Sequence, residues 1–253
     1  MPPKVRSISS VGILGFGAFG RLLAKHLHSH FPLYIFDPIW PLIDASLAGR
    51  AVAADVIAVA RCDIVILAVP VSEMSRAIQS IRPHLLPRTI VVDVGSVKLK
   101  PTQLMEAELP EFVDIVGTHP LFGPQSAKNG IRGLKIAICP IRGRRSAHRI
   151  AAFLRHALGL RVFVTTADSH DREAAVVQGL THLIAKVLIR MEPLPTRLTT
   201  ASFDLLMQAT EMIRYDAPSV FLAIERENPY AESVRERFFA IAEEMKRLLE
   251  APR

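Results

Sequence analysis

Three polar residues follow short apolar runs of the kind that form buried strands. Their side chains could bind a ligand or transfer a proton. They are Asp37, Ser96 and His119. In open parallel sheets, ligands bind beyond the carboxyl ends of the strands, which is where these residues would lie. A histidine with an ordinary pKa of about 6.5 can accept the proton of an alcohol that is being oxidised. The simpler alternatives are a surface loop histidine before a proline for His119, and a helix cap or turn for Ser96.

The element that would position these groups is the stretch from Val11 to Gly20, which reads VGILGFGAFG. A strand, a glycine turn and a helix in that order are typical of a dinucleotide-binding site. We expect the following residues at the cofactor: Gly15, Phe16, Gly17, Ala18, Phe19, Gly20, Asp37, Val69 and Pro70. Asp37 ends the second strand, where a carboxylate binds the ribose of NAD and repels the 2′-phosphate of NADP. NAD is therefore favoured, although a neighbouring basic side chain could admit NADP.

Length and composition narrow the class of protein. The chain has 253 residues and is 50% hydrophobic, enough for one large domain or two unequal ones. Charges interrupt its apolar runs before they reach about 18 residues, so we expect no membrane span. The N-terminus shows no apolar segment of a secretory signal. Cys62 and Cys139 lack CxxC spacing and are interpreted as buried free thiols, which favours a cytoplasmic protein.

The formal net charge of +7 raises the question of a nucleic-acid partner. Several arginines, however, fall together in one loop and helix start, with no aromatic residues between them: Arg142, Arg144, Arg145 and Arg149. A solvated loop is the simpler interpretation, and a positive field also suits small anionic substrates. We therefore expect a small-molecule substrate and no nucleic acid. Of the nine histidines, only His26, His28 and His30 are closely spaced, and we interpret them as a polar helix end, so no metal is expected.

Strand and helix patterns alternate up to about residue 166, which predicts an α/β fold with a Rossmann-type, mainly parallel sheet. Within it, Ala51 to Ala60 is predicted to be a helix, and Asp114 to Gly117 a strand. Residues 167–253 show helical periodicity only, and methionines 207, 212 and 245 are interpreted there as core filling. We predict a dinucleotide-binding domain over 1–166 and a helical substrate and dimerisation domain over 167–253. Its apolar surface favours a homodimer.

Three separated motifs resemble those of the prephenate/arogenate dehydrogenase (TyrA) family. They are DVGSVK at residues 93–98, GTHPLFGPQSAKNG at 117–130, and HD at 170–171 followed by QGLTH at 178–182. The resemblance covers roughly residues 10 to 250. It implies the oxidative decarboxylation of prephenate or arogenate in tyrosine biosynthesis. By this resemblance His119 is the catalytic histidine, Ser96 orients it, and Gln178 and His182 contact the substrate.

Two departures from the family pattern concern the substrate. Many members carry an arginine that binds a substrate carboxylate, and Glu211 stands at that place. Arg214 or Lys98 could serve instead, as could Arg132 or Arg226. Asp216 stands where an acidic residue marks members that prefer arogenate, whose ammonium a carboxylate would pair with. Alternatively, Asp216 simply caps the helix that follows it.

Two other functions remain open at this point. Lys186, four residues after His182, is similar to the helix lysine of hydroxyacid dehydrogenases with this architecture. A non-catalytic NAD-binding regulatory module is the alternative from a different class, although Ser96, His119, Gln178 and His182 argue against it. No separate regulatory or mutase domain is expected within the 253 residues.

Overall fold

The computed structural model describes residues 8–39 and 49–251. The chain forms two compact units, with the boundary between Ala167 and Asp168. We call the described residues up to Ala167 the sheet unit and those from Asp168 the helical unit. Each unit is described by itself below.

The sheet unit contains one eight-stranded sheet with the strand order β3-β2-β1-β4-β5-β6-β7-β8. The strands are β1 (Val11–Leu14), β2 (Leu33–Phe36), β3 (Ala51–Ala53), β4 (Ile64–Leu67), β5 (Ile90–Asp93), β6 (Asp114–Pro120), β7 (Lys135–Arg142) and β8 (Arg161–Val164). Neighbouring strands are parallel, except that β6 and β7 are antiparallel. The predicted Rossmann-type, mainly parallel sheet is confirmed.

Helices cover both faces of this sheet, which explains why its central strands are apolar throughout rather than alternating. The helices are α1 (Ala18–Leu27), α2 (Val56–Ala60), α3 (Met74–Ile81), α4 (Leu99–Glu108) and α5 (Arg144–His156). Helices α1 and α5 contribute to the apolar core on one face. Helices α2, α3 and α4 contribute to the core on the other face. Both cores include side chains from β5 and β6, the strands next to the site described below, and their packing holds the backbone of these strands in place.

The helix predicted over Ala51–Ala60 is wrong in its first half. Residues Ala51–Ala53 form β3, which pairs in parallel with β2, and the helix begins only at Val56. The physical reason is the cap: an Asp55 side-chain oxygen accepts a hydrogen bond from the Ala58 N–H at 2.7 Å. The prediction for β6 was too short, because its antiparallel partner β7 pairs with it as far as Pro120.

The helical unit contains helices joined by short turns, and its described residues, 168–251, include no strand. The helices are α6 (Ala167–Ala174), α7 (Leu180–Arg190), α8 (Ala201–Ile213), α9 (Pro218–Leu222) and α10 (Ala231–Glu250). Single π-helical turns follow α6 and α9, at Ala175–Gly179 and Ala223–Glu227. Among the residues that the structure describes, no helix is both long and apolar enough to cross a membrane.

Candidate active site

The glycine turn between β1 and α1 has the geometry that a bound pyrophosphate requires. Gly15 has a φ of +102°, and a Cβ there would lie 2.4 Å from the Ala68 carbonyl oxygen. A Cβ on Gly20 would lie 2.2 Å from the Gly15 carbonyl oxygen, so α1 packs too closely for any side chain. At Gly17, in contrast, nothing lies within 4 Å of the Cβ position. The N-terminus of α1 therefore opens onto space that a phosphate could fill.

Asp37 is tied to this turn by two backbone hydrogen bonds. Its Oδ2 accepts from the Phe16 N–H at 2.6 Å and its Oδ1 from the Ile39 N–H at 2.8 Å. A carboxylate oxygen can accept more than one hydrogen bond, so both oxygens keep capacity for ribose hydroxyls. The Arg21 guanidinium lies 4.7 Å from the centre of the buried Phe16 ring. A basic side chain is thus present beside the loop that Asp37 anchors.

The exit of β4 closes the other side of the turn. Val69 and Pro70 follow this strand directly, and a Val69 methyl carbon lies 3.2 Å from the Cβ position of Gly15. The main chain after β4 is therefore part of the wall around the glycine turn. That Val69 and Pro70 contact the cofactor stays a prediction.

Ser96 and His119 lie on neighbouring strand ends at the same edge of the sheet. Strands β5 and β6 are parallel, with Asp93 opposite Gly117. Ser96 follows β5 in a partly buried loop, whereas His119 lies within β6 and is 2% exposed. Because both residues stand beyond or at the carboxyl ends of parallel strands, they occupy the position at which such sheets bind ligands.

Lys98 does not fit the predicted role of a substrate anchor. Its side chain is 0% exposed and forms an ion pair with the buried Asp93 carboxylate. Its Nζ also donates to the Thr118 carbonyl oxygen at 2.6 Å. Because its ammonium group is already bound inside the sheet unit, we no longer assign Lys98 to a substrate carboxylate.

In the helical unit, three of the predicted residues form one connected group. His182 is 6% exposed, and its Nδ1 lies 3.0 Å from the Gln178 carbonyl oxygen. Its Nε2 lies 3.3 Å from Asp216 Oδ2. The N-cap of α9 is Ala217, and no side chain caps this helix. Asp216 therefore pairs with His182 instead of capping α9.

Arg214 is already held by two carboxylates of its own unit. It donates to Glu211 at 2.6 Å and to Glu192 at 3.0 Å. These hydrogen bonds raise the pKa of its guanidinium. A substrate carboxylate would have to displace a glutamate, so the structure weakens the case for Arg214 as the anchor. Glu211, which stands where an arginine was expected, is one of the two partners.

Comparison with known proteins agrees with this geometry. Residues 46–157 match the family described as "Prephenate dehydrogenase, nucleotide-binding domain". Arogenate dehydrogenase 1 of Arabidopsis thaliana is 29% identical over 246 residues, which is 93% of this chain and 38% of that protein. A probable arogenate/prephenate dehydrogenase of Methanocaldococcus jannaschii is 27% identical over 74% of this chain and 44% of that protein. The chain thus spans less than half the length of these two relatives.

The chain is similar to prephenate and arogenate dehydrogenases over most of its length.

Solved structures show the same fold. Aquifex aeolicus prephenate dehydrogenase, determined with hydroxyphenyl propionate and NAD+, has a TM-score of 0.74 and 22% identity. The match covers 97% of this chain and 92% of the Aquifex chain. Synechocystis arogenate dehydrogenase has a TM-score of 0.64 and 19% identity, covering 95% and 92%. At these sequence identities, the two solved structures show that the chain shares their fold.

The sequence analysis placed Asp93 and Asp171 in two of the three motifs but assigned neither acid a role. Asp93 ends the apolar run of β5 and is 0% exposed, and Asp171 is also 0% exposed. The His170 ring nitrogen Nδ1 lies 2.7 Å from Asp171 Oδ1, and Asn228 donates to the Asp171 carbonyl at 2.8 Å. An acid inside an otherwise apolar strand was a signal for Asp93. The contact of Asp171 with Asn228 could not be predicted from the local sequence, because the two residues lie 57 positions apart.

Proposed function

We propose that this protein catalyses the NAD-dependent oxidative decarboxylation of arogenate or prephenate. The observation that carries the proposal is the shared strand edge: His119 and the Ser96 loop stand on neighbouring strands of the unit that holds the glycine turn. The match of residues 46–157 to the prephenate dehydrogenase nucleotide-binding domain and the similarity to arogenate dehydrogenase 1 of Arabidopsis thaliana support the same reaction.

The chemistry divides between a bound cofactor and the chain. NAD, when bound, supplies the hydride acceptor for the substrate carbon that carries the 4-hydroxyl. His119 accepts the hydroxyl proton, and this carbon becomes a carbonyl as the hydride leaves. Loss of the ring carboxylate as carbon dioxide leaves its electron pair in the ring, which becomes an aromatic phenol. Ser96 holds the hydroxyl and the imidazole in line for the proton transfer.

The glycine turn and Asp37 support NAD as the cofactor. The open space at Gly17 fits a phosphate, and the two oxygens of Asp37 fit a pair of ribose hydroxyls. A 2′-phosphate would meet the negative charge of Asp37, although the nearby Arg21 offsets part of that repulsion. We therefore propose NAD as the preferred cofactor and NADP as a weaker one.

Asp216 supports arogenate over prephenate as the substrate. Its side chain is 24% exposed and adjoins His182, so a carboxylate is presented beside the residue that the family resemblance assigns to substrate contact. An ammonium group would pair with this carboxylate, whereas a second substrate carboxylate would be repelled. Gln178 and His182 would then hold the substrate together with Asp216.

We also propose a homodimer formed through α10, in a reducing cytoplasm that suits the buried thiols of Cys62 and Cys139. A stripe on this helix leaves large apolar side chains exposed: Ile241 48%, Met245 46%, Leu248 68% and Leu249 85%. These positions share one helical face. The methionines interpreted as core filling include Met212 and Met245, which are exposed, so that interpretation is wrong for both. A second copy is the surface that would bury this stripe.

The test is the reduction of NAD and of NADP by the purified protein, offered arogenate and prephenate separately. We expect turnover with NAD and arogenate to be the fastest of the four combinations. Faster turnover with prephenate would overturn the role given to Asp216 and leave the reaction class intact. No reduction in any combination would overturn the proposed reaction. In that event a Lys186→Met variant, assayed with simple 2- and 3-hydroxy acids, would test the hydroxyacid dehydrogenase alternative.

A further inference from the structure

The sheet unit contains an ion pair with no solvent exposure at the edge where the candidate active site lies. The side chains of Asp93 and Lys98 are both 0% exposed, and Lys98 Nζ donates to Asp93 Oδ2. The same oxygen accepts the Gly95 N–H at 3.0 Å. Asp93 Oδ1 is buried and has no hydrogen-bond partner in the described part of the chain. The hydrogen bonds of the Asp93 carboxylate are thus all made by Oδ2.

Asp93, Lys98 and the residue that contacts both of them belong to the two segments that carry Ser96 and His119. Asp93 is the last residue of β5, and Lys98 is the N-cap of α4 at the end of the loop that contains Ser96. The third point of contact is Thr118, which directly precedes His119 in β6. Its carbonyl accepts from Lys98 at 2.6 Å, and its hydroxyl donates to the Asp93 carbonyl at 2.6 Å. These contacts join the Ser96 loop to the His119 strand on both sides of the pair.

Asp93 also lies on the same face of the sheet as the His119 side chain. Asp93 lies opposite Gly117, and side chains two residues apart on a strand point to the same face. The Asp93 carboxylate therefore occupies the face from which the His119 ring projects. A Cβ at Gly117 would lie 3.4 Å from Asp93 Oδ1, so this glycine leaves the carboxylate room next to the strand.

Stability alone does not account for a buried ion pair at this place. Removing two charges from water is unfavourable, and well-packed apolar residues of similar volume often do as well or better. Burial raises the pKa of Asp93, and the Lys98 charge opposes that rise. The pair therefore brings a cost of desolvation to a sheet whose neighbouring positions are apolar.

We propose that Asp93 and Lys98 are a positioning pair that fixes the Ser96 loop against the His119 strand. Neither side chain touches the substrate; each acts through the backbone that carries Ser96 and His119. This inference rests on the proposed function, because it assigns the pair to the proton transfer at His119. The expected consequence of losing the pair is a slower chemical step with little change in substrate or cofactor binding, because small misplacements of reacting groups greatly reduce rates.

The experiment compares three variants with the wild type. Asp93→Asn/Lys98→Met removes both charges and leaves no buried charge without its partner. Thr118→Val is milder, because it removes only the hydroxyl that donates to the Asp93 carbonyl. Ser146→Ala is the control: it removes a partly buried hydrogen bond from Ser146 to Asp114 at the other end of β6. Substrate KM, kcat, NAD affinity and the thermal midpoint are measured for each.

We expect the double variant to lose at least about tenfold in kcat, with KM and NAD affinity within about threefold of wild type. Thr118→Val should lose a few-fold, and Ser146→Ala should keep its kcat even if its thermal midpoint falls. Equal losses of kcat in Ser146→Ala and Thr118→Val at equal thermal shifts would overturn the proposal. So would a double variant that folds and turns over at the wild-type rate. If the double variant does not fold, the kcat of Thr118→Val relative to that of Ser146→Ala decides: a lower kcat in Thr118→Val supports the proposal, and an equal kcat overturns it.

Repeating the substitutions in a His119→Asn background separates positioning from general damage. If the pair acts through His119, its removal should have almost no further effect on the residual kcat of that variant. A full tenfold further loss would overturn the proposal. Absence of turnover in the wild type would overturn the proposed function and this inference together, whereas wild-type turnover with an unaffected folded variant overturns the inference alone.

Discussion

The sheet unit and the helical unit bury very different kinds of surface. The sheet unit has two apolar cores, one on each face, built from large side chains such as Ile13, Leu67 and Met74. In the described part of the helical unit, the buried hydrophobic side chains are mostly alanines, with Ile213 and Ile224 as the larger ones. The helical unit leaves many large apolar side chains exposed instead. This exposed apolar surface of the helical unit is what supports the proposed dimer.

The polar groups follow the same division. In the sheet unit the buried ion pair Asp93–Lys98 lies at the candidate active site. In the helical unit, polar contacts hold the helices together: Asn228 reaches the Asp171 carbonyl, and Arg235 reaches Glu225 at 2.9 Å. Because the apolar core of the helical unit is small, these hydrogen bonds contribute a larger share of its free energy of unfolding. Under the proposals above, the sheet unit carries the proton transfer, and the helical unit carries the substrate contacts and the dimer surface.

The largest effect is expected in the sheet unit, from His119→Asn. Loss of a positioned base typically lowers turnover by about 10²-fold or more, and the amide of asparagine cannot accept the proton at neutral pH. NAD binding should remain intact, because the glycine turn is separate from β6. Initial rates of NAD reduction and NAD titration by fluorescence measure the two quantities. His148→Gln, an exposed histidine of the same unit, is the control, and rates near wild type in His119→Asn would remove this residue from the mechanism.

The next effect concerns the helical unit and its exposed stripe. Ile241→Glu/Met245→Glu places two charges on the apolar face of α10 and should dissociate the dimer, since desolvating unpaired charges is unfavourable. Lys246→Glu, on another face of the same helix, changes the net charge by the same amount and should leave the dimer intact. Sedimentation velocity over a range of concentrations compares the three proteins. A wild type that is monomeric at about 10 μM, or equal dissociation of both variants, would contradict the assigned surface.

A smaller effect is expected at the cofactor. Asp37→Ser removes the charge that favours a ribose over its 2′-phosphate and should shift the NAD over NADP preference in kcat/KM by about tenfold toward NADP. Arg21→Ala is the opposing variant and should shift the preference toward NAD. Unchanged constants for both cofactors in Asp37→Ser would show that the ribose is recognised by another group.

Helix caps, one in each unit, allow a matched comparison of stability. Asp55 accepts the Ala58 N–H at 2.7 Å in the sheet unit, and Thr200 accepts the Phe203 N–H at 3.3 Å in the helical unit. Replacing either by alanine should cost about 1 kcal/mol, with the larger cost at Asp55, whose hydrogen bond is shorter and charge-assisted. Amide hydrogen exchange followed by mass spectrometry reports each unit separately. If the two units are independent, each substitution speeds exchange in its own unit alone; acceleration across both units would contradict this division.

The smallest effect is a pH dependence within the sheet unit. Burial lowers the pKa of His26 below its ordinary value of 6.5. Below that value the unfolded chain takes up a proton that the folded chain does not, so stability is fully present above it and falls as the pH drops. Urea unfolding at pH 7.5 and 5.5 should therefore show a smaller acid loss in His26→Gln than in the wild type. An equal change in the His148→Gln control would assign the acid loss to another cause.

Much of the fold could be predicted because the sheet unit follows local rules. Apolar runs gave the central strands, and the GxGxxG spacing placed the turn and helix around Gly15. The predicted secondary structure was wrong where pairing with a distant strand, or a helix cap, determined where an element begins or ends. Ala51–Ala53 forms a strand because β2 offers a partner edge, and β6 continues to Pro120 because β7 pairs with it. Neither partner is visible in the local periodicity.

The candidate site divides in the same way. Residue types and spacing determined by themselves that Asp37, Ser96 and His119 stand at strand ends, because the order of apolar runs sets the strands and the strands set their ends. Only the tertiary structure decided that Lys98 is bound by Asp93 within the sheet unit, that Arg214 pairs with Glu192, and that Asp216 meets His182. A charged side chain binds whichever opposite charge folding brings near it, and 34 residues separate Asp216 from His182 along the chain.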